Sequence, residues 1–278
     1  MKQRLATAVI GLSIFFAVLA FYRTPFLNVS VAIVIFLSIY EIMQVTGLWR
    51  HKVIAGTCLL FGCGLPLLEV VWEKGWLPYY EALFALALFC LLLFFHETVS
   101  YQEAATAFVV TCVISGTTST LIWFRQMNER MEIGIFYTLL AFGIAWLTDT
   151  GAFLFGITLG KHKLAPKISP KKTVEGAVGG VVFCIGTVLL FSAIYCWICA
   201  GIWEIPVKVD YRLLLLVVPL GSVLSMLGDL SASLIKRQCG VKDYGSLMPG
   251  HGGIVDRFDS VFFVLPFLFL FVQLFPIV

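Results

Sequence analysis

The sequence predicts an all-α polytopic integral membrane protein with about nine transmembrane helices. Of its 278 residues, 60% are hydrophobic and only 13% are charged, whereas a soluble domain has roughly 25% charged residues. Nine apolar stretches approach the roughly 20 residues that an α-helix needs to cross a bilayer. Gly and Pro lie mainly in the connections, which favours helices over a barrel whose strands would alternate over about ten residues.

The predicted spans follow one another along the whole chain. The first apolar run is long and has no small-residue cleavage pattern before Arg23, so it is interpreted as a span and not as a signal peptide. The nine spans are predicted at about residues 5–22, 26–45, 53–72, 79–95, 104–124, 133–159, 174–200, 213–235 and 258–277.

The distribution of Lys and Arg predicts the orientation. With the N-terminus in the cytoplasm, thirteen of the nineteen basic residues fall in cytoplasmic segments, as the positive-inside rule requires. We therefore expect a multi-pass protein of the cytoplasmic (inner) membrane whose C-terminus is on the opposite side. The net charge of +3 is too small to indicate a nucleic-acid partner.

The two halves of the chain differ in character. Connections within residues 1–103 are short and chemically plain, so the first four or so helices are predicted to be a scaffold. Residues 104–278 contain two polar loops, 160–173 and 236–257, which are rich in Lys, Gly and Asp. Because both loops are predicted to be cytoplasmic, a catalytic region with its active site facing the cytoplasm is expected there.

Four acids mark the candidate site. Asp149 lies about ten residues before the cytoplasmic end of its predicted span, or ~15 Å deep, and Asp229 about six residues before its own, or ~9 Å. Asp256 and Asp259 open the last span. An ionised carboxylate at such depth costs several kcal/mol unless it faces a partner or a cavity. Each alone would fit a helix cap or an ion pair, but together they predict a site.

The residue types favour magnesium over zinc. Asp229 and Ser233 are four residues apart and share a helix face, so both could bind one ion, with Asp256 approaching from the next helix. Carboxylate and hydroxyl oxygens suit Mg²⁺. The four histidines lack partners at zinc-binding spacing.

Cations and glycines surround these acids. A solvated positive-inside loop is the alternative for any single lysine, but the glycines at 250, 252 and 253 also let a backbone approach an anion closely. Mg²⁺ ligands beside cations are typical of sites for phosphoryl or nucleotidyl transfer, because both neutralise charge on the phosphate oxygens. A site within the membrane implies that one substrate is a lipid. The basic residues are Lys161, Lys163, Lys167, Lys171, Lys172, Lys236, Arg237, Lys242 and Arg257.

One stretch carries a family resemblance. The sequence "SLIKRQCGVKDYGSLMPGHGGIVDRFD", residues 233–259, resembles closely the signature of the phosphatidate cytidylyltransferases, also called CDP-diglyceride synthases. The upstream "DTGAFLFGITLGKHKLAPKISPKKTVEG", residues 149–176, is similar to a second block of that family. The resemblance is specific over roughly residues 145–260 and only compositional before about residue 104.

The resemblance implies a reaction and its cofactors. CTP and phosphatidate would give CDP-diacylglycerol and pyrophosphate, with Mg²⁺ required and often a monovalent cation such as K⁺ assisting. It also implies a homodimer, since similar family members form one.

The resemblance further implies roles for individual residues. Asp229 and Asp256 would be the metal ligands, supported by Ser233 and Asp259. The residues expected to hold phosphates are Lys236, Arg237, Lys242 and Arg257. Asp243 belongs to the same signature as a candidate catalytic residue.

The remaining candidates are expected to bind or position the substrates. His251 is expected to position or contact a phosphate and not to act as a base, because phosphatidate is already an anion. Asp149 would line the cavity or pair with a loop cation, and Lys171 and Lys172 would either cover the nucleotide or anchor at the interface. Further substrate-binding candidates are Lys161, Gly252 and Gly253.

Two other classes of protein fit parts of the pattern. One is another CTP-dependent membrane enzyme, either a CDP-lipid synthase for a different backbone or a polyprenol kinase. The other is an ion-coupled transporter, because acids within membrane helices also serve transport. A transporter leaves the Lys- and Gly-rich loops unexplained.

Overall fold

The computed structural model describes residues 2–69, 76–127, 130–202, 204–248 and 252–278. Each predicted span overlaps one of nine helices of at least 14 residues found within these ranges. The helices are α1 (Lys2–Ala20), α2 (Phe26–Val45), α3 (Lys52–Leu68), α4 (Leu77–Phe94), α5 (Tyr101–Met127), α6 (Met131–Leu159), α7 (Val174–Ile202), α8 (Tyr211–Gln238), the four-residue α9 (Val255–Phe258) and α10 (Val261–Leu274), with a single 3₁₀ turn at Leu48–Arg50.

Six of these helices, α2 and α4 to α8, are long and apolar enough to cross a membrane. The protein is therefore a multi-pass membrane protein. Helix α3 has 17 residues and α10 has 14, so α10 is only ~21 Å long at 1.5 Å per residue. The total of nine crossings and the orientation of the termini stay predictions.

The loop at 160–173 is not purely irregular. It forms an antiparallel hairpin of β1 (Lys163–Ala165) and β2 (Ser169–Thr173), in which Lys163 pairs with Thr173 and Ala165 with Ser169. Pro166 and Pro170 cannot continue a helix, which explains why α6 does not run on into α7. The secondary structure of the described residues is otherwise helical, which confirms the all-α prediction, and the hairpin is a local feature of this loop.

The chain divides into two compact units. Unit 1 contains Met1–Ile122 and Cys239–Arg257, and unit 2 contains Trp123–Gln238 and Phe258–Val278. The predicted boundary between residues 103 and 104 divides a scaffold from a catalytic region. These two units are defined by packing alone, so they do not test that boundary and it stays a prediction. In unit 1, α2 packs against α1 and α3, and α3 packs against α4.

In unit 2, α6 and α7 pack closely because glycines face the opposite backbone. A Cβ added at Gly180 would lie 2.7 Å from the carbonyl oxygen of Thr148 and 3.0 Å from the backbone nitrogen of Ala152. A Cβ at Gly151 would lie 2.8 Å from the Cβ of Phe183. Small residues allow such an approach between membrane helices, and it fixes the helix that carries Asp149.

Helix α8 is fixed against α6 by hydroxyl groups. Thr148 Oγ1 donates to Ser222 Oγ at 2.9 Å, and Ser225 Oγ donates to the carbonyl oxygen of Ala145 at 3.4 Å. On the side toward α10, a Cβ at Gly228 would lie 2.6 Å from the carbonyl oxygen of Asp259. These contacts determine how the acid-bearing parts of α6, α8 and the start of α10 are placed within unit 2.

We predict that Gly180→Ala destabilises the protein by about 1–3 kcal/mol, because the added methyl meets backbone atoms that cannot move aside. Thermal unfolding in detergent would measure the change. Gly186→Ala is the matched control on the same helix, since a Cβ there meets no atom within 4 Å and should be neutral or stabilising by up to about 1 kcal/mol. Equal melting temperatures for the two variants would contradict the packing argument.

Candidate active site

Unit 2 contains a cluster of predicted site residues. The carboxylate of Asp259, which lies just before α10, interacts electrostatically with Asp229, Asp149 and Lys236. These four groups come from α6, α8 and the segment before α10. The structure therefore brings Asp149, Asp229 and Asp259 into one region of unit 2.

An ion pair joins the hairpin to α8. Lys172 Nζ lies 2.5 Å from Asp229 Oδ2, and the two side chains are 23% and 26% exposed. The Nζ atom itself is buried and, among the described residues, makes no hydrogen bond of good geometry. Because a lysine ammonium has three donors, Lys172 can bind a further acceptor beside Asp229.

The hairpin is held in place at both ends. Thr173 caps α7, because its Oγ1 accepts the N–H of Gly176 at 3.1 Å, as N-cap threonines commonly do. The carboxylate of Glu175 accepts the backbone N–H of Lys161 at 3.0 Å and the ring Nδ1–H of His162 at 2.6 Å. Strand β2 is thereby fixed at the residue next to Lys172.

The other hairpin cations have different environments. Lys161 is exposed. In β2, Lys171 is exposed while Lys172 is partly buried, because successive residues of a strand point to opposite faces. Arg237 Nε is 3.5 Å from the carbonyl oxygen of Ile168 in the hairpin turn. Lys172 is thus the hairpin lysine that the structure brings to an acid.

Ser260 connects two of the acids and was not predicted from the sequence. Its Oγ donates to Asp149 Oδ2 at 3.0 Å, and its backbone N–H donates to Asp259 Oδ1 at 2.7 Å. Ser260 is 1% exposed and Asp259 is 9% exposed. Its position directly after Asp259 was the available signal. Asp149 therefore interacts with a hydroxyl near the start of α10, while its pairing with a loop cation stays a prediction.

Asp229 lies deeper within its helix than the sequence predicted. Helix α8 continues to Gln238, which places Asp229 nine residues, or ~14 Å, before the helix end. Ser233 Oγ is 3.4 Å from Asp229 Oδ1, which confirms that both share a face. Lys236 and Arg237 occupy the last turn of α8 and not a loop, and cations at this position interact favourably with the helix dipole.

Unit 1 contains the remaining signature residues. Asp256 Oδ2 accepts the N–H of Tyr244 at 2.9 Å and the N–H of Gly253 at 3.0 Å. This carboxylate therefore hydrogen-bonds to two backbone positions of the loop that precedes it. Gly252 has a φ of 85°, a left-handed conformation that favours glycine. Its carbonyl oxygen accepts the N–H of Met248 at 3.0 Å.

Other predicted residues of this loop face solvent or lie outside the described residues. Lys242, Asp243 and Arg257 are exposed. His251 lies outside the described residues.

Glu41 on α2 is a buried acid that sequence reasoning missed. One carboxylate oxygen accepts the N–H of Ile254 and the other accepts the N–H of Val255, each at 3.0 Å. Glu41 is only 2% exposed. An acid inside an apolar span was the signal that could have identified it, but α2 lies in the half of the chain whose connections are chemically plain.

The donor atoms fit magnesium. Within the part of the chain that the structure describes, no group of three His, Cys, Asp or Glu side chains converges as a metal site. Mg²⁺ does not need such a cage, because proteins usually hold it with one or two carboxylates while waters and substrate phosphates complete its octahedron. Asp229 with the hydroxyl of Ser233 offers oxygen donors of this kind.

The chain is similar to known proteins over almost its whole length. Residues 2–275 match the family model described as "Cytidylyltransferase family". The phosphatidate cytidylyltransferase of Staphylococcus saprophyticus is 34% identical over 273 residues, which cover 96% of this chain and 97% of that protein. The phosphatidate cytidylyltransferase of Bacillus subtilis is 33% identical over 281 residues, covering 99% and 98%. The protein therefore belongs to the cytidylyltransferase family.

Proposed function

We propose that this protein transfers the cytidylyl group of CTP to phosphatidate, forming CDP-diacylglycerol and pyrophosphate for phospholipid biosynthesis. The observation that carries the proposal is the buried ammonium of Lys172 beside the carboxylate of Asp229. A lysine ammonium is suited to bind phosphate, and a carboxylate oxygen is suited to bind Mg²⁺. The names of the relatives support the same substrates.

The chemistry needs little from the protein beyond placement and charge. A phosphate oxygen of phosphatidate attacks the α-phosphorus of CTP, forming a new P–O bond as the bond to the β-phosphate oxygen breaks and pyrophosphate leaves. The attacking group is already an anion, so no general base is required. Lys172, Lys236 and Arg237 bind phosphate oxygens and offset the negative charge that accumulates during transfer.

Magnesium is the proposed cofactor. Asp229 and, from the signature, Asp256 are its proposed ligands, with Ser233 and Asp259 in support. Bound Mg²⁺ would neutralise charge on the α-phosphate and on the leaving pyrophosphate. An assisting K⁺ and a homodimer, both implied by the family resemblance, stay predictions.

We also propose nine membrane crossings, with the N-terminus in the cytoplasm and the C-terminus on the opposite side of the cytoplasmic membrane. The bias of thirteen among nineteen basic residues supports this orientation. It places the hairpin and the end of α8 on the cytoplasmic side, where CTP is available.

The position of the label in CTP tests the reaction. With purified protein, phosphatidate and Mg²⁺ in detergent, α-labelled CTP should give chloroform-soluble label, while γ-label should remain in the aqueous phase as pyrophosphate. Label from the γ-position in lipid would identify a kinase instead. Transport without CTP consumption in sealed vesicles would identify a transporter. Either result overturns the proposal.

Asp229→Asn should lower the rate of α-label transfer at least about 100-fold, because charge stabilisation by a metal is worth several kcal/mol. Asp210→Asn is the matched control. Asp210 Oδ1 accepts the backbone N–H of Arg212 at the other end of α8, and asparagine caps helices as well as aspartate. Full activity of a folded Asp229→Asn protein would remove Asp229 from the site.

Lys172→Met should lower the catalytic efficiency for CTP about 10–100-fold, since a charged hydrogen bond is worth about 1.5–3 kcal/mol. Lys167→Met, a change of an exposed lysine in the same hairpin, should change it less than about threefold, as surface charges contribute little. Steady-state kinetics at varied CTP would separate the two. Equal effects would mean that only the total charge of the hairpin matters.

A cysteine placed at Lys167 should react with a membrane-impermeant maleimide in inside-out vesicles and be protected in right-side-out ones. A cysteine at Arg23, which is also exposed, should show the opposite pattern, because an odd number of crossings separates the two positions. Labelling of the two sites from the same side would contradict the proposed topology.

A further inference from the structure

The unit 1 part of the signature, described at residues 239–248 and 252–257 and called the signature loop below, is attached to α2 by a buried carboxylate. Both oxygens of Glu41 are occupied, one by the N–H of Ile254 and the other by the N–H of Val255. These residues are 213 and 214 positions away in the sequence. The carboxylate of Glu41 therefore bridges two successive backbone N–H groups of this loop.

Two glycines of the loop pack directly on this carboxylate. A Cβ added at Gly245 would lie 2.6 Å from Glu41 Oε1, and a Cβ added at Gly253 would overlap Glu41 Oε2. Any larger residue would therefore force the carboxylate of Glu41 and the loop apart. Gly253 is thus needed for contact with an acid, whereas the sequence suggested only an approach to phosphate.

The attachment is adjacent to Asp256. Val255 precedes Asp256 in the chain, and Asp256 Oδ2 itself accepts the N–H of Gly253 at 3.0 Å. The backbone from Gly253 to Val255 is consequently fixed by Glu41 and Asp256 together. A shift of this segment would change the direction in which Asp256 presents its carboxylate.

We propose that Glu41 is a positioning residue for the cytidylyl transfer proposed above: it fixes the backbone that presents Asp256. The inference rests on that proposed function. It assigns to the second helix, in the region predicted to be scaffold, a direct effect on the geometry of a proposed metal ligand.

The geometry requires a carboxylate of glutamate length. Glutamine keeps one acceptor oxygen but turns its NH₂ group toward a backbone N–H, so two donors face each other. Aspartate keeps the charge but is shorter by one methylene, ~1.5 Å, and cannot reach both N–H groups at once. Each change leaves at least one buried N–H without its acceptor.

Hydrogen–deuterium exchange measures the attachment without any assay of activity. In Glu41→Gln, we expect faster exchange of the amides of Ile254 and Val255, with unchanged exchange in α6 and α8. Glu97→Gln is the control, because Glu97 is exposed. Unchanged exchange at Ile254 and Val255, or equally increased exchange along the whole chain, would overturn the proposal.

Kinetics then tests the effect on the reaction. Changes outside the direct ligands of a metal typically cost about 10–100-fold in metal affinity or activity. We therefore expect Glu41→Gln to raise the Mg²⁺ concentration for half-maximal rate about tenfold or more, with the KM for phosphatidate changed less than about threefold. Mg²⁺ binding by calorimetry should weaken in parallel. A merely structural role predicts fewer active molecules with an unchanged Mg²⁺ requirement, which would contradict the inference.

Further variants keep the test decisive if Glu41→Gln folds poorly. Glu41→Asp retains the charge and should show a smaller change of the same kind. Gly253→Ala should act like Glu41→Gln, but its added methyl should have little further effect in a Glu41→Ala background, because the overlapping carboxylate is gone. If Gly253→Ala and Glu41→Ala instead changed the exchange rates of Ile254 and Val255 independently, so that their effects multiplied in the double variant, the proposal would be overturned. Failure of the wild type to label lipid would instead refute the proposed function, while the exchange result would still report on the attachment.

Discussion

Carboxylates held within apolar helices impose the constraint on which the rest of this structure depends. An ionised acid removed from water is stable only with a charge or hydrogen-bond partner, and each acid has a different one. Asp229 is next to the ammonium of Lys172, Asp149 accepts from the hydroxyl of Ser260, and Glu41 accepts two backbone N–H groups. Each partner comes from a distant part of the sequence, so satisfying the acids also determines which segments meet.

The partner of Asp229 explains the shape of the connection between α6 and α7. A simple turn would suffice to join two antiparallel helices, yet this chain forms a hairpin. The capping of α7 by Thr173 and the hydrogen bonds to Glu175 fix β2 at its end. Because strand residues alternate in direction, this anchored strand directs Lys172 to α8 and leaves Lys171 exposed. The anchoring of the hairpin to the start of α7 therefore affects the charge environment of the candidate site.

Properties that depend on local composition could be predicted from the sequence, whereas pairings between distant segments could not. Hydropathy located the helices, and the rarity of acids in apolar spans identified Asp149, Asp229 and Asp259. The hairpin was missed because its lysines and prolines show no alternation of apolar and polar residues. The end of α8 was placed too early because Lys236 and Arg237 resemble loop residues in a hydropathy profile. The contact of Glu41 with residues 254 and 255 arises only when α2 and the loop fold together.

Glu41 also concerns the predicted separation of the chain into an N-terminal scaffold and a C-terminal catalytic region. The family match begins at residue 2, although the motif resemblance is specific only from about residue 145. A scaffold needs only apolar helices of suitable length. A buried glutamate in such a helix costs free energy because its charge is desolvated, so its presence indicates a specific role. The loop glycines at 245 and 253 pack against that glutamate, and a Cβ at either position would overlap its carboxylate. Within unit 1 the signature loop is attached to α2 through Glu41, and on our proposal the placement of Asp256 depends on that helix as well as on its own loop.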